Sequence, residues 1–161
     1  VAGMLISISQ HKLWKEQRVL MKFSFHQTSM AKYRPGVLGS TLSENILKDY
    51  NGQSYWVSIN VNSFLQNGSN FPKWLNFAMG YGAGGMLGGM ENPKEVNGVA
   101  VPEFDRYRKL LISLDIDLTK IPVKSHFGKM VFKMLNFVKI PFTALEISPA
   151  NGGMKLHPLY F

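Results

Sequence analysis

The stretch Arg108-Lys-Leu-Leu-Ile-Ser-Leu-Asp-Ile-Asp-Leu-Thr119 alternates large aliphatic residues with polar ones. This period of two predicts a β-strand with one apolar and one polar face. The run is longer than the average strand of about five or six residues, and it matches the roughly nine to eleven residues of a tilted membrane strand. A half-buried strand of a soluble sheet would alternate in the same way. In a membrane strand the lipid-facing side chains would be Leu110, Ile112, Leu114, Ile116 and Leu118.

Five other segments carry the same alternation and are separated by Gly, Asn and Pro residues. They are residues 18–26, 54–63, 74–83, 143–148 and 154–161. The last of them ends on an aromatic residue, Phe161. Strands of membrane barrels show this pattern because one face contacts lipid and the other a polar interior. The sequence therefore predicts a mainly β fold, an antiparallel up-and-down sheet or a membrane β-barrel, with a short N-terminal helix and one amphipathic helix.

The number of recognisable strands does not decide whether such a barrel is closed. Closed membrane barrels begin at about eight strands, and six are recognisable here. Two more could lie in loops, at Lys32–Leu38 and Asn97–Val101. Alternatively, a preceding N-terminal part of the protein completes the structure, or the sheet is soluble. Residues 1–16 are expected to end an N-terminal helical part, and residues 17–161 to form a single β domain.

Two segments have helical signals. Thr41 and Glu44 predict a capping box for a short helix at Leu42–Asp49. Residues 125–138 have apolar side chains at helical spacing, flanked by lysines, and Ser125 can cap them. A basic amphipathic helix of this kind lies on membrane surfaces, which would place Lys129 and Lys133 at the membrane interface. A helix packed on a protein core would have the same spacing.

The connection lengths suggest an orientation. In bacterial barrels the outer loops are long and the periplasmic turns short. The long loops 27–53 and 84–105 would then lie outside, and the short turn at Gln66–Asn70 would face the periplasm together with the N-terminus. Aromatic residues near strand ends favour the membrane interface. Of these, Trp74, Tyr160 and Phe161 are the best placed.

Composition narrows the functional class. Charged residues make up 17% of the 161 residues, below the roughly one quarter of a soluble domain, and there is no cysteine. The net charge is +8, but the lysines and arginines are scattered and form no stripe with stacking aromatics. Nucleic acid is therefore not an expected partner, whereas anionic lipid would explain the charge as well.

No motif for catalysis or for cofactor binding is evident. Asp115 and Asp117 share a face and could act as an acid–base pair or bind a cation, or they could simply balance Lys109 and Lys120. The four histidines are too dispersed for metal ligation. The glycines of residues 80–85 are followed by more loop and not by a helix that could bind a pyrophosphate. We therefore expect no catalytic residue, cofactor or metal.

Several blocks of the chain resemble a known family. They are Leu13-Trp-Lys-Glu-Gln-Arg18, Lys22-Phe-Ser-Phe-His26, Tyr33-Arg-Pro35, Leu38-Gly-Ser40, Lys48-Asp-Tyr-Asn-Gly-Gln53, Tyr55-Trp56, Phe71-Pro-Lys-Trp-Leu-Asn76, Gly80-Tyr-Gly82, Ser113-Leu-Asp-Ile-Asp-Leu-Thr-Lys-Ile121 and His157-Pro-Leu-Tyr-Phe161. Together they resemble the DUF2279 family, a predicted periplasmic or outer-envelope lipoprotein family of Bacteroidetes-type bacteria. The family has no assigned function, so the resemblance implies an envelope location and no catalytic residue.

These observations favour a non-enzymatic protein of the outer envelope, embedded in the outer membrane. Its expected partners are membrane lipid and a protein of an envelope complex. The main alternative is a soluble periplasmic β-barrel or β-sandwich that binds a lipid or a protein. An enzyme that uses Asp115, Asp117 and His26 is a weaker alternative.

Overall fold

The computed structural model describes residues 2–65, 69–149 and 152–161. Short helices flank one antiparallel sheet, and a separate two-stranded hairpin lies in a loop. None of the helices in the described ranges combines the length and the apolar character of a membrane-spanning helix. In chain order the elements are α1 (Ala2–Trp14), β1 (Val19–Phe25), α2 (Pro35–Leu38), α3 (Leu42–Lys48), β2 (Gln53–Asn60), β3 (Leu75–Gly84), β4 (Glu95–Val96), β5 (Val99–Ala100), β6 (Tyr107–Ile116), α4 (His126–Leu135), β7 (Phe142–Ser148) and β8 (Gly153–Tyr160).

The main sheet confirms the mainly β prediction. Its six strands lie in the order β1-β2-β3-β6-β7-β8, and every neighbouring pair is antiparallel. All six strands correspond to segments with period-two alternation. The long loops before β2 and before β6 lie at one end of the sheet, because each follows a strand that runs toward that end. The shorter 61–74 connection and the 117–141 connection that contains α4 lie at the other end.

Glycines on the inner face of β3 let the sheet curl around large neighbouring side chains. A Cβ atom at Gly80 would lie 2.7 Å from Cε3 of the Trp56 indole, and one at Gly82 would lie 2.8 Å from Cε of Lys109. Such distances are well inside van der Waals contact, so a side chain at Gly80 would force the buried Trp56 ring to move, and one at Gly82 would displace the flexible end of Lys109. The absent side chains provide the space that the Trp56 ring occupies inside the curve.

The curl of the sheet brings its two edges, on the β1 side and the β8 side, toward each other. The Tyr160 hydroxyl of β8 lies 3.0 Å from Ser54 Oγ of β2, across the interior. On the outer edge of β1, the Phe23 N–H donates to the Phe137 carbonyl, and the Lys139 N–H donates to the Phe23 carbonyl, both at 2.9 Å. Residues 137–139 therefore cover the middle of the β1 edge, while the barrel is not closed by a ladder between β1 and β8 in the described residues.

The two long loops are packed together. Asn51 links them, since its side chain both donates to the Met86 carbonyl and accepts from the Met86 N–H at 2.8 Å. Arg34 donates to the Leu87 carbonyl at 2.9 Å. A small apolar cluster lies beneath these bonds and contains Ala31, Leu38 and Leu87, with Met30, Tyr33, Tyr50, Val101 and Phe104 around them.

The additional strands suggested within these loops are absent from the main sheet. Lys32–Leu38 forms a 3₁₀ turn and the short helix α2, whose first residue is Pro35. Asn97–Val101 contributes only β5, which pairs with β4 outside the main sheet. Neither segment adds a strand to the main sheet, so the prediction of two hidden barrel strands at these positions is wrong. The positive φ of Asn97 and Gly98 explains the tight turn between β4 and β5.

Side-chain caps explain where several elements stop. β2 ends at Asn60, earlier than predicted, because the Asn60 side chain accepts from Ser63 N–H and starts a 3₁₀ turn. β6 ends at Ile116 because Asp117 likewise caps Leu118–Lys120. α4 begins after Ser125 as predicted, but it stops at Leu135 because residues 137–139 extend along β1.

The capping box of α3 is present in modified form. Thr41 Oγ1 accepts from the Glu44 N–H, whereas the Glu44 carboxylate accepts from Ser40 rather than from Thr41. Two predicted turns fall partly outside the described residues, namely 66–68 of the Gln66–Asn70 turn and 150–151 of the last hairpin.

Candidate functional site: a polar interior within an apolar outer face

The outer face of the sheet is apolar from edge to edge. Strand register places its side chains in rows, and one row consists of Phe23, Tyr55, Tyr81, Leu110, Ile147 and Met154. The next consists of Met21, Val57, Met79, Ile112, Leu145 and Leu156. Many of these side chains are exposed, and Met79 retains 47% of its accessible surface. A contiguous apolar surface of this kind marks a contact with lipid, with a ligand or with another protein.

Most of the predicted lipid-facing residues lie on this outer face. Leu110, Ile112 and Leu114 are exposed, and Ile116 is half-buried at the end of β6. Leu118 does not belong to the strand. It lies in the 3₁₀ turn that Asp117 caps, where it is half-buried beside α4.

The inner face carries polar side chains at its centre. Lys22 of β1 and Asp115 of β6 form an ion pair of 2.8 Å, and both side chains are fully buried. Ser58 donates to the same carboxylate at 2.7 Å, and Asn76 donates to Ser58 at 2.9 Å. Asn60 donates to the Asn76 side-chain oxygen at 2.7 Å. The Lys22 ammonium also donates to the Ile116 carbonyl at 2.7 Å, and these further hydrogen bonds help to offset the cost of burying the charged pair.

A second buried cation lies next to this network. The Lys139 ammonium donates to the carbonyls of Leu114 and Ile140, at 3.1 and 3.0 Å. It also lies 4.6 Å from the centroid of the Trp56 ring, which provides a cation–π contact. Lys139 reaches this position because residues 137–139 line the β1 edge. The sequence showed Lys139 only as one of the lysines flanking a helix.

The two aspartates at the end of β6, Asp115 in the strand and Asp117 just after it, do not act together. Asp115 pairs with Lys22, and not with the predicted Lys109 or Lys120. Asp117 accepts from Thr119 N–H at 3.0 Å and from the Asn136 side chain at 3.1 Å, and so it anchors the chain around α4. Each carboxylate thus has its own structural partners, and the two do not form a pair. In the described ranges no three His, Asp or Glu side chains converge as metal ligands would.

At the loop end of the interior, polar and aromatic groups surround Tyr160. His157 Nε2 lies 2.8 Å from Glu146 Oε2, and the rings of His157 and His26 lie 5.1 and 5.4 Å from the Tyr160 ring. The Lys109 ammonium lies 5.6 Å from the same ring. Burial lowers the pKa of His26, the first residue after β1, and the Lys109 charge lowers it further. Neutral His26 therefore predominates at neutral pH.

This cluster corrects the prediction for Tyr160. The residue was expected at a membrane interface, but it is only 5% exposed and points into the interior. A register shift between Phe142 and Ala144 is the cause, because it turns His157 and Tyr160 to the same inner face. Phe161 and Trp74 are exposed near strand ends, so both side chains are accessible to a membrane interface.

Helix α4 displays its apolar side to the surroundings. None of its residues is buried, and Phe127 retains 68% of its accessible surface. Met130 and Met134 continue the same exposed side, while Lys129 and Lys133 are exposed beside them. A helix packed on a core would bury this side, and the described residues leave it uncovered.

Comparison with known proteins adds no relative. No protein-family model, curated protein or solved structure matches this chain. The resemblance to the DUF2279 family therefore stays a prediction that rests on the sequence blocks alone.

Proposed function

We propose that this chain is a non-enzymatic protein of the outer envelope, embedded in the outer membrane through the outer face of its sheet. The observation that carries the proposal is the inversion of the two faces. Soluble sheets bury apolar side chains and expose polar ones. Here the enclosed face holds the Lys22–Asp115 pair, whereas Met79 and Leu114 face outward. Membrane β-barrels have this arrangement.

The dimensions of the apolar face support the same proposal. From Leu110 to Ile116, β6 rises roughly 20 Å at about 3.4 Å per residue. That is comparable with the apolar band of about 25 Å on outer-membrane barrels. Tyr55 and Tyr81 lie side by side toward the loop end of this face, where aromatic residues favour the membrane–water boundary.

The N-terminus would then face the periplasm, with α4 on the same side. The exposed apolar side of α4 supports a helix that lies in the interfacial plane of the membrane. Membrane lipid is the expected partner of both surfaces. In lipid, the edges of β1 and β8 need backbone partners, and a protein of an envelope complex could provide them.

The alternative is a soluble periplasmic protein that binds a lipid or a protein. Two observations favour it: the main sheet has six strands, and a groove of about 870 Å³ opens beside β6 and β7. Tyr107, Leu110 and Ile147 line this groove, with Arg106 and Arg108 near its loop end. An acyl chain would suit the apolar part of its lining.

Fractionation separates the two functions. The full chain, exported to the periplasm of a Gram-negative host, should sediment with outer membranes and resist extraction at alkaline pH. Protease added to intact cells should cut loops 26–52 or 85–106 and leave α4 protected. Recovery of the chain in the soluble periplasmic fraction would exclude the membrane proposal and favour the soluble lipid binder.

A further inference from the structure

A second groove lies at the opposite end of the sheet from the long loops. It has a volume of about 870 Å³ and runs between residues 118–124 and helix α4. The two walls approach closely because residue 128 is glycine, since a Cβ there would lie 2.7 Å from Val123 Cγ1. We call this cavity the lysine groove, because Lys120, Lys124, Lys129 and Lys133 line it.

The charge of the lysine groove is not compensated. No acidic residue lines it, and the four ammonium groups make no hydrogen bond or ion pair with any described residue. The nearest carboxylate in sequence, Asp117, is buried and engaged by Thr119 and Asn136. Four unpaired lysines around one cavity create a positive potential that attracts an anion.

The lining also contains apolar side chains. Ile121, Val123 and Phe132 belong to it, and the exposed stripe of Phe127, Met130 and Met134 runs along the same helix. A free inorganic anion would gain nothing from these side chains. An acidic protein segment would match the lysines and leave the stripe exposed to water. An anionic amphiphile satisfies both, with its phosphate on the lysines and its acyl chains along the stripe.

We propose that the lysine groove binds the phosphate headgroup of an anionic phospholipid, whose acyl chains lie along the apolar side of α4. This deepens the proposed function, since it names the lipid class and the place where the chain holds it.

The test is native mass spectrometry of the full chain in neutral detergent, titrated with phosphatidylglycerol or with phosphatidylcholine. The unchanged chain should retain one phosphatidylglycerol and not retain phosphatidylcholine. Lys129→Gln with Lys133→Gln should weaken phosphatidylglycerol binding about thirtyfold, the expected effect of two lysines at a lipid surface. Lys12→Gln with Lys15→Gln removes the same charge outside the groove and should change the affinity less than about twofold.

Three results would overturn the proposal. Equal losses in the two double variants would mean diffuse attraction and no site. Equal retention of both lipids would mean that the phosphate charge is not recognised. Tighter binding of polyglutamate than of phosphatidylglycerol, lost in the groove variant alone, would assign the groove to an acidic protein partner.

The same variants separate this proposal from the proposed function. If the chain fractionates with outer membranes but both double variants retain lipid equally, the membrane function stands and the lysine groove does not. If the chain is soluble and still binds phosphatidylglycerol through Lys129 and Lys133, the groove stands and the membrane function fails.

Discussion

Lys22 and Asp115 meet as a fully buried ion pair, with Nζ and Oδ2 2.8 Å apart, between strands that are not neighbours in the sheet. β2 and β3 lie between them, so the pair spans the inside of the curve. The salt bridge therefore ties β1 to β6 across the inside of the curved sheet. The outer face at the same height along the strands is apolar.

Asp115→Asn should destabilise the protein by about 3–5 kcal/mol, because the Lys22 ammonium would stay buried without its counter-charge. Denaturant titration in detergent micelles measures the change. Glu16→Gln is the control, since it breaks the partly exposed Arg18–Glu16 pair of 2.9 Å and should cost no more than about 1 kcal/mol. Similar costs for the two variants would show that the Lys22–Asp115 pair does not hold the curve.

Leu114→Arg distinguishes lipid from water around the sheet. In a membrane the substitution should cost about 2–4 kcal/mol, and Leu118→Arg, beyond the strand end, should cost less. Leu114 is 42% exposed, so in water an arginine there would be almost neutral. Folding of the two variants into lipid vesicles, followed by denaturant titration, gives the change in the free energy of unfolding for each. A neutral Leu114→Arg would contradict the membrane proposal.

Gly80→Val tests the packing inside the curve. The new Cβ would lie 2.7 Å from the Trp56 ring, so the indole must move and the cost should be about 1–3 kcal/mol. The near-ultraviolet circular dichroism of tryptophan should change with it. Gly89→Ala is the matched control, because no atom lies within 4 Å of its new Cβ. An unchanged tryptophan signal in Gly80→Val would show that the inner face is loosely packed.

Tyr160 and Phe161 are adjacent but should respond differently to truncation. Tyr160→Ala should cost about 3–5 kcal/mol, since it empties the interior beside Trp56 and removes the bond to Ser54. Phe161→Ala should cost far less, because the side chain is half exposed. Thermal or denaturant unfolding of the two variants is the measurement. A larger loss at Phe161 than at Tyr160 would contradict the interior position of Tyr160.

Acidification should loosen the start of α3. Hydrogen bonds from Ser40 and the nearby Lys48 charge lower the pKa of Glu44 to about 2, from an ordinary value of 4.5. Because the folded-state pKa is depressed, the stabilisation is complete above pH 4.5 and is lost as the pH falls toward 2. The protection of amide hydrogens in residues 41–48, measured against the exchange rate of an unfolded chain at the same pH, should therefore fall over this range. Glu44→Gln should remove the pH dependence, and its persistence in that variant would exclude Glu44 as the cause.

The strands of the main sheet could be predicted because alternation is a local property of the sequence. Leu110, Ile112 and Leu114 share a face in any β-strand, whatever surrounds it. The partner of Asp115 could not be predicted in this way. Lys22 lies far away in the chain, and only the curl of the sheet selects it over Lys109, which lies on the same strand as Asp115.

Tyr160 shows a second limit of the pattern. Strict alternation from Met154 and Leu156 puts Tyr160 on the outer face, and the shift between Phe142 and Ala144 reverses it. A β-bulge leaves no regular signature in the sequence, since it depends on how two strands meet. The lysine groove was missed for a related reason. Lys120 and Lys124 precede α4, and only its packing brings them beside Lys129 and Lys133.

The pairing of Phe23 with Phe137 and Lys139 sets an order of events for folding. These two backbone bonds join positions separated by most of the chain, so they carry a large loop-closure entropy and form late. Until then the β1 edge offers unpaired backbone groups to any other strand in reach. The folding chain is consequently most prone to aggregation before residues 137–139 dock along β1.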